Sequence, residues 1–227
     1  MIDYNEYLNT FNGNAAKDKI IDWIKEKFKW NPSPLAIVGI SFQPNDYVTA
    51  KLCVEALGQD NVFGIFMPIG KTSVIQNASD FIHQLGIKVY THNILEEYID
   101  SSSQLWTNLY EDNKLPTRRS NANLLSEIRS SVLRAYSYVL NGYVICSDTL
   151  TTRYIGYEVG FGDFAPLAKY TTDEVIAIGR ALDIEKDLLN FFEQEHRLNF
   201  TYKDLNEYIR LNQIENNKEE IDRKSVV

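Results

Sequence analysis

The stretch Leu35–Leu52, LAIVGISFQPNDYVTAKL, decides the fold. Its opening, Leu35-Ala36-Ile37-Val38-Gly39-Ile40, is apolar without alternation, the pattern of a strand buried on both faces in a parallel sheet. Ser41 follows, and after a short polar break an amphipathic helix is expected from about Asp46 to Leu57. In many ATP-using α/β proteins a strand, turn and helix in this order hold phosphate, because the free N–H groups and dipole of the helix N-terminus point at the anion. Close approach of backbone to phosphate favours glycine. Here those places carry Phe42 and Gln43, and Pro44 has no N–H to donate. The architecture is that of a nucleotide site, while the loop residues oppose a strong one.

Outward from this stretch the pattern repeats. Asn14–Trp30 reads as a helix whose apolar face is Ile20, Ile21, Trp23, Ile24 and Phe28, and Asn31-Pro32-Ser33-Pro34 stops it. A second strand is expected over Asn61–Met67, ending at Pro68-Ile69-Gly70. A helix over Ser73–Leu85 closes on Gly86, and a third strand spans Ile87–Tyr90. This βαβαβ alternation predicts a doubly wound, mostly parallel α/β sheet flanked by helices, with right-handed crossovers.

Ile94–Asn113 is helical in pattern but interrupted at Ser101-Ser102-Ser103. Asn121–Leu140 is a long helix bearing Leu124, Leu125, Ile128, Val132, Leu133, Ala135 and Tyr136, a face that suits either a core helix or an interface. A fourth strand over Tyr143–Cys146 emerges at Ser147-Asp148. Gly156–Asp163 reads as a glycine-rich aromatic loop crossing the carboxyl ends of the strands. Helices are expected over Thr172–Leu182, Ile184–Glu195 and Tyr202–Leu211, and the first dozen residues look irregular. The whole of 1–227 reads as one domain, with 215–227 a charged tail, either a solvated helix or frayed.

Composition narrows the function. A net charge of -8 argues against non-specific nucleic-acid binding and against an anionic membrane surface. No apolar run is long enough for a membrane helix, and MIDYNEYLNT does not read as a signal peptide, so a cytoplasmic protein is expected. Cys53 and Cys146 have no zinc spacing around them and read as buried thiols in a reducing compartment.

The order of motifs resembles the bacterial ammonia-dependent NAD synthetases of the ATP pyrophosphatase superfamily, whose loop is Ser-Gly-Gly-x-Asp-Ser. The resemblance rests on Ile21-Asp22-Trp23-Ile24-Lys25, on Val38-Gly39-Ile40-Ser41 with Ala50-Lys51-Leu52, and on Glu55-Ala56-Leu57-Gly58 followed by Asn61–Gly64 and Met67-Pro68. It continues through Gly156-Tyr157 and Phe161-Gly162-Asp163, then Pro166-Leu167, Tyr170 and Thr172–Val175, to Leu198–Tyr202 and Asp204-Leu205, with Asn199 in place of a glycine. No one motif is specific; their shared order along nearly the whole chain is. The resemblance implies an adenine nucleotide alpha hydrolase-like fold and a homodimer. It implies a reaction in which ATP, with magnesium, adenylates deamido-NAD before ammonia displaces AMP to give NAD. It implies nucleotide contacts at Ser41, Gln43, Asn45, Asp46, Met67, Ser147 and Asp148, and substrate contacts at Asn123, Arg129 and Asp163.

Departures from the family pattern fall on the chemistry. In Ser41-Phe42-Gln43-Pro44-Asn45-Asp46 only Ser41 clearly survives; Asn45 takes the aspartate's place, or with a one-residue shift Asp46 does. Thr152 stands where a glutamate is expected to bind magnesium, and a neutral hydroxyl is a weak ligand for that cation. Glu127 reverses the charge of an arginine between Asn123 and Arg129, and Val159-Gly160 replace a Thr-Lys pair. The segment from Asp163 to Pro166 is shortened, and the substrate loop expected after Ile184 is missing. The scaffold is retained and the ligase machinery largely is not. No catalytic residue and no metal ligand is assigned, and the alternative to a weak ligase is a silent relative that binds or regulates. A third reading is a different adenylating ligase on the same fold.

Other polar residues leave alternatives open. His83, His92 and His196 are scattered and read as ordinary half-buried or surface histidines. Tyr154, Tyr157 and Tyr170 could stack on a base or pack in the core. Glu158 and Asp163 could form a metal pair or be solvated. Asp148, at a strand's carboxyl end, sits where open sheets bind ligands.

Overall fold

The computed structural model describes residues 3–30, 35–41, 43–70, 84–110, 112, 114–156, 162–190 and 200–225, with the backbone alone from 214 onward. Four strands, β1 (Ala36–Ile40), β2 (Val62–Phe66), β3 (Lys88–Thr91) and β4 (Tyr143–Ile145), form one sheet in the order β3-β2-β1-β4. Every pairing is parallel, with Ala36 opposite both Val62 and Tyr143. The expected doubly wound parallel sheet is therefore present. Eight α-helices surround it among the described residues: α1 (Tyr4–Thr10), α2 (Gly13–Phe28), α3 (Pro44–Leu57), α4 (Leu95–Tyr110), α5 (Arg118–Leu140), α6 (Leu150–Ile155), α7 (Thr172–Ala181) and α8 (Tyr202–Ser225).

Alternation along β1 divides the core. Ala36, Val38 and Ile40 join Ile20, Ile24, Val48, Leu52, Val175 and Ile178 beneath α2, α3 and α7. Ile37 turns the other way and packs with Ile65, Met67, Ile94 and Val132, against which Leu125, Ile128, Leu133 and Tyr136 of α5 lie. So the Asn121–Leu140 face is first of all a core face, although Tyr138 and Val139 near its end are exposed. At Gly39 a Cβ would lie 3.3 Å from Leu133 Cδ1, so the glycine lets α5 sit close to the carboxyl end of β1.

Several expectations need correction. Residues 4–10 are helical, not irregular: Asp3 caps the helix by accepting the Asn5 N–H, and Tyr4 is buried with its hydroxyl donating to Asp173. Seven residues carry too short a pattern to declare a helix without these tertiary contacts. The serine run does not interrupt α4, because Ser102 and Ser103 turn their hydroxyls back onto the carbonyls of Ile99 and Asp100. Helix α3 starts at Pro44, with proline at its first position, rather than at Asp46. The short helix α6 was not anticipated. In place of a helix over Ile184–Glu195 there is a 3-10 turn at Lys186–Leu189, and 191–195 fall outside the described residues. Most of the expected Ser73–Leu85 helix also falls outside, but Gly86 has φ +64°, as a helix-ending glycine does. Helix α8 runs on through the charged stretch to Ser225.

Candidate functional site

In the order β3-β2-β1-β4 the chain reverses direction across the sheet between β1 and β4, and at such a switch point open sheets bind ligands beyond the strands' carboxyl ends. A cleft of about 380 Å³ lies there. Its floor is Gly39–Ser41 and Asp46 from the end of β1 and from α3, Phe66–Ile69 at the end of β2, and Ile145–Asp148 at the end of β4. Its wall is Ser126, Arg129, Ser130 and Leu133 of α5. A larger depression of about 670 Å³ takes none of its lining from the sheet; lysines and carboxylates ring it, including the Lys51–Glu55 pair at 3.2 Å.

The floor is organised around Asp46, which is only 4% exposed. Its Oδ2 accepts the Ser41 main-chain N–H at 2.7 Å and the Ser41 hydroxyl at 2.6 Å; its Oδ1 accepts the Ser147 hydroxyl at 2.5 Å. Asn45 completes the tie by donating from Nδ2 to the Ser147 carbonyl at 2.9 Å. These bonds lace the end of β1 to the end of β4. Burial pushes the Asp46 carboxyl above its ordinary range, opposed by the hydrogen bonds from Ser147 and Ser41. Helix α3 offers little else to an anion: Gln43 at its N-cap makes no side-chain cap bond, Pro44 lacks an N–H, and the Asp46 N–H is used by the Gln43 carbonyl.

The expected magnesium position is Thr152. Its hydroxyl donates to the Thr149 carbonyl at 3.0 Å and accepts the Thr149 N–H at 2.9 Å, closing the N-terminal cap of α6, and the residue does not line the cleft. Among the described residues no cluster of three histidines, cysteines or carboxylates could hold a metal ion. Among the described residues, the position expected to hold magnesium therefore offers a neutral hydroxyl, already engaged by Thr149, and not a carboxylate.

Of the residues expected to contact a nucleotide, Ser41, Asp46, Met67, Ser147 and Asp148 meet in the cleft, while Gln43 and Asn45 flank its floor. Phe42 lies outside the described residues. Of the expected substrate contacts, Arg129 reaches the cleft. Asn123 is exposed on α5 and does not line it. Asp163 is engaged elsewhere: its carboxylate takes Arg134 Nη1 at 2.8 and 2.9 Å and the Val144 N–H at 2.8 Å, covering the outer edge of β4. Gly162 permits this approach, since a Cβ there would meet Cys146 Cβ at 2.7 Å.

Ser126, Ser130 and Leu133 were not singled out in the sequence. With Arg129 they recur at three- and four-residue intervals, the one signal that could have placed them on one helix face. His92 has partners that sequence reasoning did not find: Glu97 Oε1 at 3.0 Å, and the Tyr136 hydroxyl at 3.5 Å. Tyr154 is exposed, and Tyr170 packs edge-on against Phe11, which favours packing over base stacking for that residue. His83, Tyr157, Glu158 and His196 lie outside the described residues. Cys53 and Cys146 are buried thiols, and burial pushes both up to about 12, so Cys146 offers no thiolate to the cleft.

Away from the cleft, two buried polar networks join the last helices. Glu174, wholly buried, accepts from Tyr7 Oη at 2.5 Å, Arg210 Nε at 2.8 Å, Arg210 Nη2, and the Thr171 N–H at 2.8 Å. Asn206 accepts from the Thr151 hydroxyl at 2.5 Å and donates to the Thr172 hydroxyl at 2.7 Å, linking α6, α7 and α8.

Comparison with known proteins places this geometry. The NAD synthase family model matches residues 16–227. The ammonia-dependent NAD synthetase of Methanocaldococcus jannaschii is 26% identical over 223 residues, covering 92% of this chain and 85% of that protein. The corresponding protein of Methanococcoides burtonii is 30% identical over 180 residues, covering 77% and 66%. Among solved structures, an NMN synthetase from Francisella tularensis superposes with a TM-score of 0.77 at 21% identity, covering 88% and 87%. An ammonia-dependent NAD synthetase from Campylobacter jejuni, solved with a nitrate ion, gives 0.69 at 23% identity, covering 93% and 87%. At these identities the superpositions establish the fold.

Proposed function

The chain belongs to the NAD synthase family, and from that premise we propose that it keeps the family scaffold as a small-molecule binding protein while ligase activity is lost or very weak. The family reaction would adenylate the carboxylate of deamido-NAD with ATP and magnesium and then amidate it with ammonia. The observation that carries the proposal is Thr152: where a carboxylate is expected to hold magnesium, a neutral hydroxyl is consumed at both ends by Thr149. A carboxylate at that position would help to hold magnesium, which would offset the negative charge of the phosphates during adenylation; a threonine hydroxyl supplies no such charge. The cleft itself is retained at the switch point, with a volume in the range of small-ligand sites, which supports a nucleotide-type ligand.

The test is a coupled assay with ATP, magnesium, deamido-NAD and ammonia, in which no NAD above background is expected. Clear NAD formation by the unaltered protein would overturn the proposal. The family resemblance also supports a homodimer; exposed Tyr110, Leu115, Tyr138 and Val139 on and between α4 and α5 provide apolar surface for one. Light scattering should then give twice the chain mass at micromolar concentration, and a monomer would rule this out. Two buried thiols fit a reducing cytoplasm, and among the described residues no helix is long and apolar enough to cross a membrane.

A further inference from the structure

We infer that Asp46 is an internal anion standing where a bound phosphate would sit, and that it makes the cleft selective for ligands with one anionic group over a polyphosphate chain. The inference rests on the reading of the chain as a family scaffold with a retained cleft, and it names the class of ligand that cleft takes. Three observations carry it. First, donors that would cradle a phosphate are already spent: the Ser41 N–H and hydroxyl and the Ser147 hydroxyl all point at the Asp46 carboxylate. Pro44 contributes no donor, and the Asp46 N–H is turned onto Gln43.

Second, the charges lining the cleft do not suit a polyanion. Among the described residues the charged side chains lining the cleft are Asp46, Asp148 and Arg129. A triphosphate would bring several negative charges toward a buried carboxylate in a site of reduced dielectric, where like charges repel far more strongly than in water. One phosphate or carboxylate group can instead be held by the Arg129 guanidinium, whose planar fork matches such groups. Third, the rest of the lining includes the apolar side chains Met67, Ile69 and Leu133, which suit the uncharged body of a ligand. A carboxylate held by three donors at 2.5–2.7 Å is itself a short-range copy of bound phosphate. This explains why the end of β1 and the end of β4 stay laced together without glycines in the loop.

The experiment is magnesium-free calorimetry on the full chain with AMP and ATP as probes, for the native protein, Asp46→Ser and Asp46→Asn. Circular dichroism establishes that each variant is folded. Asp46→Ser removes the charge and vacates the space, whereas Asp46→Asn removes only the charge and keeps the size. The native protein is expected to bind AMP at least as tightly as ATP. Each variant should shift the ratio of affinities toward ATP by about tenfold or more, with Asp46→Ser the larger. A native preference for ATP, an unchanged ratio in the folded variants, or no binding of either nucleotide by any of the three proteins would overturn the inference. NAD formation by the native protein would instead refute the proposed loss of ligase activity, and the nucleotide ratio would still decide the role of Asp46.

Discussion

Arg210→Met is the substitution whose cost can be worked most directly from the structure. Glu174 is wholly buried and accepts four hydrogen bonds, two of them from Arg210; the other two come from Tyr7 and Thr171. The arginine also donates to the Lys169 carbonyl at 2.8 Å and to Gln213 at 2.6 Å, so its guanidinium ties α8 to α7 and to the turn before it. Its side chain is 15% exposed, which leaves little room for solvent to screen the pair. Methionine keeps most of the aliphatic packing and strands a buried carboxylate with two donors. Removing one partner of a buried pair costs about 3–5 kcal/mol. For a chain of this size each kcal/mol lowers Tm by about 2–4 °C, so the expected fall is roughly 6–20 °C. Thermal unfolding followed by circular dichroism measures it. The double variant with Glu174→Gln should be destabilised by less than the sum of the single changes, by about 0.5–3 kcal/mol. A fall below about 1 kcal/mol, or simple additivity in the double variant, would refute the view that this pair holds α8 in place.

The remaining expectations concern the cleft and its surroundings. Burial raises the folded-state pKa of Asp46 above the ordinary 3.8, so its charge costs stability at neutral pH; that cost disappears as pH falls through the folded value. In urea titrations at pH 7 and pH 5 the stability of native protein relative to Asp46→Asn should therefore rise on acidification, and a fall would contradict the burial of this charge. Cys53 and Cys146, with thiols pushed up to about 12, should resist a disulfide reagent at pH 8 in the folded protein and both react once it is unfolded; rapid labelling of the native state would show an open core. Thr152→Glu places glutamate at the third helical position behind Thr149, an alternative form of the same cap, and should change stability by under about 0.5 kcal/mol in chemical denaturation. A loss above about 1 kcal/mol would mean that Thr152 does more than close α6.

What was legible in the sequence, and what was not, divides along physical lines. The run Ala36–Ile40 has no polar residue, so only a doubly covered strand accommodates it, and the strand lies within the expected range. Strand and long-helix limits mostly came within a few residues for the same reason: many residues vote on each. The errors fall where few residues vote. Helix α1 depends on Tyr4 and Tyr7 reaching partners more than 160 residues away, and no local pattern reports that. Helix α6 is six residues long and is held by a threonine pair. At the candidate site, strand ends brought Ser41, Ser147 and Asp148 to the cleft, because the topology brings carboxyl ends together whatever the side chains. The sequence could not reveal that Asp46 folds back onto Ser41 and Ser147, since its spacing to Ser147 is 101 residues. Nor could it reveal that Asp163 had gone to Arg134 and the edge of β4.

Mg-ATP calorimetry on the unaltered chain tests the central claim, that the family's cleft persists without its polyphosphate machinery. Charge-assisted hydrogen bonds are missing or already spent at Ser41 and Pro44, each worth about 1.5–3 kcal/mol, and Thr152 supplies no carboxylate for magnesium, which together amount to a few powers of ten in affinity. A dissociation constant of roughly millimolar or weaker is expected. Binding of Mg-ATP in the micromolar range, tightened by magnesium over ATP alone, would contradict the account.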